Sequence, residues 1–469
     1  MILSRFASWL ILVTAALAPW LAGARSYLSG VLWGLGGLHV SAFLLVAIER
    51  SQEKQWPRVS RLAVWPVLFL LGCLGWWAFQ SEPSFASTFA AEHWVFLERQ
   101  FPSAILQWPR SERLFFAAAL LLGFLAAVDV GRSPTFRKQL CLVIGIDGLL
   151  VALYGLGQRW LGLGFPPWLQ INGYIEAYNA CFFHHGGPSA CLNFAWPLLV
   201  FHEWRTGWIK GNVIIALLLL PVVALALSLW HSQTPWAVAA GLLIVGFIWI
   251  SYARISKPSP SFILSAVAVL FLAVFAWQFS EVRHMKAQNP DYWMSAEMAS
   301  MQIGERDTQF RALTLNRGDR MIPSASPPRP AAWLTGVRMA ADHLFIGNGP
   351  GSWVREATLY SNDPIVNTFY QHRQFAHHDL LQTAAEWGGL AAIAWLVLWI
   401  GGVYRAARRS LTEGLDDVGL VLALVGIALQ SLVHFPLQIP ALQIWTALAL
   451  GLAWSRRSRP QVSRPPISG

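Results

Sequence analysis

The chain has 469 residues, 55% of them apolar and only 12% charged, with 26 tryptophans, a mean hydropathy of +0.46 and a formal charge of +10. A soluble globular domain carries about 25% charged residues, so these figures argue against an ordinary soluble enzyme, and so much apolar material excludes a disordered chain. Cys73, Cys141, Cys181 and Cys191 form no Cys-x-x-Cys pair, which speaks against a zinc site and against a disulfide framework.

A bilayer core requires roughly 20 apolar residues per helix. About twelve such stretches run along the chain, near 6–23, 28–48, 62–80, 112–130, 139–158, 188–203, 212–230, 235–252, 261–279, 380–404, 417–433 and 437–454. The expected fold is therefore all-α and polytopic. Arg5, an apolar centre and Ala22-Gly23-Ala24 give the first stretch some signal-peptide character, but it reads as a retained helix.

Orientation follows from the basic residues, which accumulate in cytoplasmic loops. With the N-terminus inside, the inner loops and tails hold 19 of the 34 Lys and Arg, the short outer loops five, and the segment 281–376 the other ten. Both termini are thus expected in the cytoplasm and the long segment outside, between helices 9 and 10. The positive charge is mostly a topology signal, and no nucleic-acid partner is expected. Three regions result: helices 1–9 over 1–279, an outer module over 280–376, and helices 10–12 with a basic tail over 377–469. Within the outer module, Pro323 to Pro330 carries too many prolines for a regular helix. Beyond it, Ala331 to Leu344 reads as a short helix and Gly347-Asn348-Gly349-Pro350-Gly351 as a tight turn.

On this topology ten of the twelve histidines face outward or lie in outer loops. His184, His185, His231, His372, His377, His378 and His434 sit near membrane boundaries in four separate places, where they can line one outer cavity. Metal binding is the first chemistry to weigh, since imidazole is a common zinc and copper ligand. No His-x3-His and no accompanying cysteine supports it, so no metal is expected. A haem-handling protein is disfavoured too, because Trp76 and Trp77 fall inside an expected span.

The most informative stretch is Arg373-Gln374-Phe375-Ala376-His377-His378-Asp379-Leu380-Leu381-Gln382-Thr383-Ala384-Ala385-Glu386-Trp387-Gly388-Gly389. Read as a helix entering the membrane from outside, it presents unpaired amides and a partial positive charge to the outer cavity. Such an end attracts phosphate and discourages protonation of a nearby histidine, leaving His377 able to accept a proton. Glu386, nine residues on, is expected about 13 Å deeper, on the opposite side of the helix and hydrogen-bonded inside the bundle. Asp147 in the fifth span invites the same structural reading.

The run Ala376-His377-His378-Asp379-Leu380-Leu381-Gln382 with Glu386 and Gly388 resembles the signature of the O-antigen ligase and polymerase superfamily. Other segments agree in order: Phe183-His184-His185-Gly186 leading to Asn193 and Trp196-Pro197-Leu198, Arg329 before Trp333, Gly347-x-Gly349-Pro350-Gly351, and His434-Phe435-Pro436-Leu437-Gln438-Ile439-Pro440. The resemblance spans roughly residues 140–455. It implies glycosyl transfer at the outer, periplasmic face of the cytoplasmic (inner) membrane, from a polyprenyl-diphosphate-linked oligosaccharide to a hydroxyl of a glycolipid, a growing glycan or a protein. It further implies no cofactor and no metal, His377 as the base, and Arg329 on the diphosphate, a role suited to a guanidinium that stays charged and binds phosphate in a fork.

Arg338 is a candidate second clamp. At His231-Ser232-Gln233 the resemblance leads one to expect a basic residue where Gln233 stands, so Arg159, at the outer end of the fifth span, becomes a further diphosphate candidate. His378 replaces the usual asparagine, either sharing proton transfer or substituting for an amide hydrogen bond. Outside this class, a transporter or lipid-linked-glycan flippase is the principal alternative. The late outer loop spoils the six-plus-six division common among transporters.

Overall fold

The computed structural model describes residues 2–23, 30–54, 61–80, 110–164, 166, 180–182, 186–201, 222–223, 226, 235, 237–246, 329–360, 375–412 and 416–456. Every regular element among them is helical: α1 (Ile2–Ala22), α2 (Val31–Gln52), α3 (Arg61–Gln80), α4 (Arg110–Val130), α5 (Pro134–Leu161), α6 (Gly186–Val200), α7 (Ala237–Gly246), α8 (Arg329–Asp342), α9 (Trp353–Tyr360), α10 (Asp379–Trp387), α11 (Gly389–Thr412), α12 (Asp416–Ser431) and α13 (Pro440–Trp454), with a 3₁₀ turn at Pro436–Gln438. Ile2–Leu21, Val31–Gln52, Pro134–Leu161 and Gly389–Leu411 are long and apolar enough to cross a membrane, and α3, α4, α7, α12 and α13 contribute shorter apolar helices. The expected spans at 212–230 and 261–279, and the outer module before Arg329, lie outside the described residues.

Local chemistry sets the helix ends. The Ser133 side chain accepts from the Phe136 amide and Pro134 opens α5, which closes on Gly162 in the left-handed region. Proline at the first helical position suits a residue lacking the amide that would be orphaned there. α13 also begins on proline and is buried along nearly its whole length, as expected for a helix apolar on every side. It packs against α1, α4, α11 and α12 at the centre of the bundle.

Close approach between helices depends on small residues and on tryptophan amines. A Cβ on Gly451 would lie 2.5 Å from the Ala127 Cβ, and one on Gly148 2.1 Å from the Ala195 Cβ, so these glycines let α13 meet α4 and α5 meet α6 backbone to backbone. The Trp445 Nε1 donates to the Ala15 carbonyl and the Trp454 Nε1 to the Leu398 carbonyl, both at 2.8 Å. At one end of the bundle Asp417 pairs with Arg137 and Arg409. Both arginines also donate to the Leu452 carbonyl at the end of α13, where unpaired carbonyls and the negative helix pole favour cations.

The opposite end carries a separate small core of Ala332, Met339, Trp353, Ala357, Ala376 and Ala385. It joins α8 and α9 to α10. Here the structure departs from the expected tenth span: the helix does not run on from His377 but breaks at Gly388, and the membrane-length helix starts at Gly389. Gly388 has φ +88°, and a Cβ there would lie 2.2 Å from the Phe345 carbonyl oxygen. Backbone contact with the turn after α8 therefore terminates α10, at a residue that has no Cβ to prevent it.

Candidate functional site

His377 sits just before α10 with φ +54°, an uncommon conformation for a side-chain-bearing residue that its surroundings have to hold. They do so from three sides. The Trp333 Nε1 of α8 donates to the His377 carbonyl at 3.3 Å. The preceding Ala376 amide donates to the Gln382 Oε1 at 2.9 Å. On the following side, buried Asp379 accepts from the Leu437 amide at 2.8 Å and the Gln438 Nε2 at 3.2 Å. Asp379 thereby ties the start of α10 to the 3₁₀ turn 436–438.

That tie brings the two histidine motifs together. The His377 ring lies 6.2 Å from the ring of buried His434 and 4.9 Å, edge to face, from Phe435, which stacks on Phe375 at 4.6 Å. His378 instead faces Trp333 at 6.2 Å. Its Nδ1 accepts from the Leu381 amide at 3.2 Å and caps α10, the bond a capping amide would otherwise make. Burial pushes the His378 imidazole down to about 4, against a backbone hydrogen bond acting the other way. Burial pushes the Asp379 carboxyl up to about 7, with the Leu437 amide and Gln438 pulling it down. At neutral pH His378 is therefore uncharged and Asp379 close to its midpoint.

Glu386 does not lie deep in a span. Because α10 stops at Gly388, Glu386 stays outside the membrane-length helix and accepts from the Gly351 amide at 2.9 Å, the Trp353 amide at 3.3 Å and the Gln382 Nε2 at 3.0 Å. Its role is structural and hydrogen-bonded, as expected, but the partners are the glycine-rich turn and Gln382. A chain of bonds thus runs from that turn through Glu386 and Gln382 to the amide beside His377.

Of the arginines, Arg329 is the first residue of α8, one turn before Trp333 and hence on its face of the helix. Arg338 lies nine residues on, on the other side, and donates to the Tyr360 carbonyl at 3.3 Å. Arg159 is exposed in the last turn of α5. His184, His185, His231 and Gln233 lie outside the described residues. Among the described residues no three His, Cys, Asp or Glu side chains gather as a metal-binding set.

A cavity of about 300 Å³ adjoins the cluster. Phe375, Gln382, Glu386, Leu437 and Gln438 line it on the side of the cluster, α2, α3, α4, α11 and α13 wall the rest with residues such as Leu74, Phe124, Leu398 and Leu450, and His377, His378, His434 and Arg329 are not among its lining residues. Neither this cavity nor the Asp379 tie was expected from the sequence. The apolar periodicity of the five helices does not tell which faces meet protein and which leave a gap.

Fold and site together define a membrane protein, helical throughout its described residues, whose motifs converge on a histidine cluster near an apolar cavity. Residues 214–396 match the family model described as O-antigen ligase. The match covers less than half of the chain and agrees with the superfamily its motifs resemble. No curated protein matches the chain. The matched stretch contains Arg329, Arg338, His377 and Glu386, while His434 lies beyond it and reaches His377 only through the fold.

Proposed function

We propose that the protein is a glycosyltransferase of the O-antigen ligase type, which moves a glycan from a polyprenyl-diphosphate carrier to a hydroxyl acceptor at the periplasmic face of the inner membrane. The observation that carries this reading is the backbone of His377, held at φ +54° with its ring 6.2 Å from that of His434, two residues from Phe375, which lines a mostly apolar cavity. A prenyl chain suits that cavity, and the diphosphate falls outside it, on the histidine and arginine side.

In the proposed reaction the acceptor oxygen attacks the anomeric carbon and the carbon–oxygen bond to the diphosphate breaks. His377 takes the hydroxyl proton, and polyprenyl diphosphate leaves with the bonding pair. Negative charge grows on the leaving oxygen, where prepositioned cationic donors act most strongly. In this reading Arg329 serves there, with Arg159 and Arg338 as further donors and His184, His185, His231, Gln233 and His434 lining the outer cavity. His378 holds α10 in register through its cap. Neither cofactor nor metal has a step.

The test is release of polyprenyl diphosphate by purified protein given a carrier-linked oligosaccharide and candidate acceptors. Acceptor-dependent release that collapses in His377→Ala and Arg329→Ala, and that survives a chelator, is the expected result. Donor binding without release by folded wild type, across glycolipid, glycan and protein acceptors, overturns the proposal in favour of transport.

A further inference from the structure

The residue exposure of α11 traces one stripe: Leu390 is 44% exposed, Ile393 57%, Val397 41% and Ile400 59%. These positions recur at three- and four-residue spacing on a helix long and apolar enough to cross a membrane, so the stripe is its lipid face. The stripe does not end where the helix begins. The Gly389 amide, first in α11, donates to the Leu344 carbonyl at 2.6 Å, and the Leu344 side chain lies against Gly389. Leu344 is 55% exposed and the adjoining Phe345 62%.

The same apolar surface continues onto α8. Ala332, Trp333 and Met339 of that helix are buried, whereas Val337, one turn beyond Trp333 at the edge of the buried side, is 52% exposed, and Ala341 and Asp342 are exposed as well. A helix in water would turn charged or polar residues outward there. Contiguous exposed apolar surface of this kind marks an interaction site. Its continuity with the lipid face of α11 selects the occupant.

We infer that the Leu344–Phe345 turn and the Val337 face of α8 are inserted into the lipid leaflet at the histidine end of the bundle. The helix lies along the interface with Phe345 as its anchor, in the manner of interfacial amphipathic segments and aromatic belts. Trp333, on the buried side of α8, bonds to the His377 carbonyl. The inserted turn therefore sets the depth of the histidine cluster relative to the bilayer. This inference concerns the membrane surface and holds whether or not the protein transfers glycans.

The experiment is nitroxide labelling of the full chain in phospholipid bilayers, in a background with Cys73 and Cys141 replaced by alanine. Labels are placed singly by Phe345→Cys and Leu344→Cys, with Ile393→Cys as the lipid reference and Gln52→Cys, exposed at the far end of α2, as the water reference. At Phe345 and Leu344 the ratio of oxygen to nickel-chelate collisions should match that at Ile393 and exceed that at Gln52 several-fold. A ratio at the Gln52 level, or exclusion of both reagents by covering protein, overturns the inference. Should either cysteine disturb the fold, a photoreactive phenylalanine analogue at position 345 decides the matter. Phospholipid adducts support insertion, and adducts with peptide or water alone refute it.

Discussion

Replacing Glu386 by alanine tests the bonding that holds the site. The carboxylate accepts from the Gly351 amide, the Trp353 amide and the Gln382 Nε2, and Glu386 is 4% exposed. Removing it leaves these donors without that acceptor. Trp353 and Gln382 are buried, and an orphaned buried donor costs about 1–3 kcal/mol, so at the lower limit these two cost about 2 kcal/mol, while the half-buried Gly351 amide can turn to water. At about 1.4 kcal/mol per factor of ten, the glycine-rich turn should open roughly thirtyfold more often. Amide exchange at Asn348 and Gly349 reports this cleanly, because their amides bond to the Ala385 and Glu386 main-chain carbonyls, which the substitution keeps. Exchange at both should accelerate about thirtyfold in Glu386→Ala and by less in Glu386→Gln, which retains one acceptor oxygen. Unchanged exchange in the alanine variant would refute the hub and return Glu386 to the role of an acid buried within a span.

Other substitutions read the neighbouring features. Asp379, with a folded value near 7 against about 3.9 unfolded, contributes stability that is full below pH 4 and is lost as pH rises to 7; His378, near 4 folded against about 6.5, contributes stability that is full above pH 6.5 and is lost as pH falls to 4. The two slopes oppose each other. Thermal melts between pH 4 and 6.5 should therefore rise with pH in Asp379→Asn and fall with pH in His378→Asn, relative to wild type. Ala447 lines the cavity, and Ala447→Trp should cut turnover of a long-chain polyprenyl donor about tenfold, the equivalent of two unburied methylenes at ~0.8 kcal/mol each. A short prenyl donor should be spared, which competition kinetics would show. Asp417→Ala leaves Arg137 and Arg409 buried without their shared carboxylate, a loss of about 3–5 kcal/mol that should lower the detergent melting temperature while leaving the His377 end of the bundle intact.

The membrane helices were legible because a long apolar run admits one reading, and helices appear where α1, α2, α5 and α13 were expected. Their burial was not. The lipid-facing stripe of α11 and the fully buried surface of α13 are equally apolar in sequence, and only packing separates them. At the site, the motif points to His377, and the structural, hydrogen-bonded part given to Glu386 is the one its partners show. What the sequence could not convey is which distant backbone groups those side chains would meet. Asp379 finds the Leu437 amide 58 residues away, and no local pattern encodes such a pairing. His378 is intermediate: the position before a helix invites a capping group, and its Nδ1 fills that position.

The break at Gly388 shows how a local departure from helix periodicity serves the site. The break falls two residues after Glu386, so Glu386 stays in α10 and its carboxylate meets the Gly351 and Trp353 amides. Gly388 and Gly347 meet backbone to backbone, since a Cβ on Gly347 would lie 2.4 Å from the Gly388 nitrogen. That contact fixes α10 to the turn after α8 and leaves α11 to begin a separate path across the bundle. The strained His377 backbone is then supported both by Trp333 of α8 and, through Asp379, by the 3₁₀ turn that leads into α13. The Leu344 carbonyl, accepting from the Gly389 amide, ties that support to the first residue of α11.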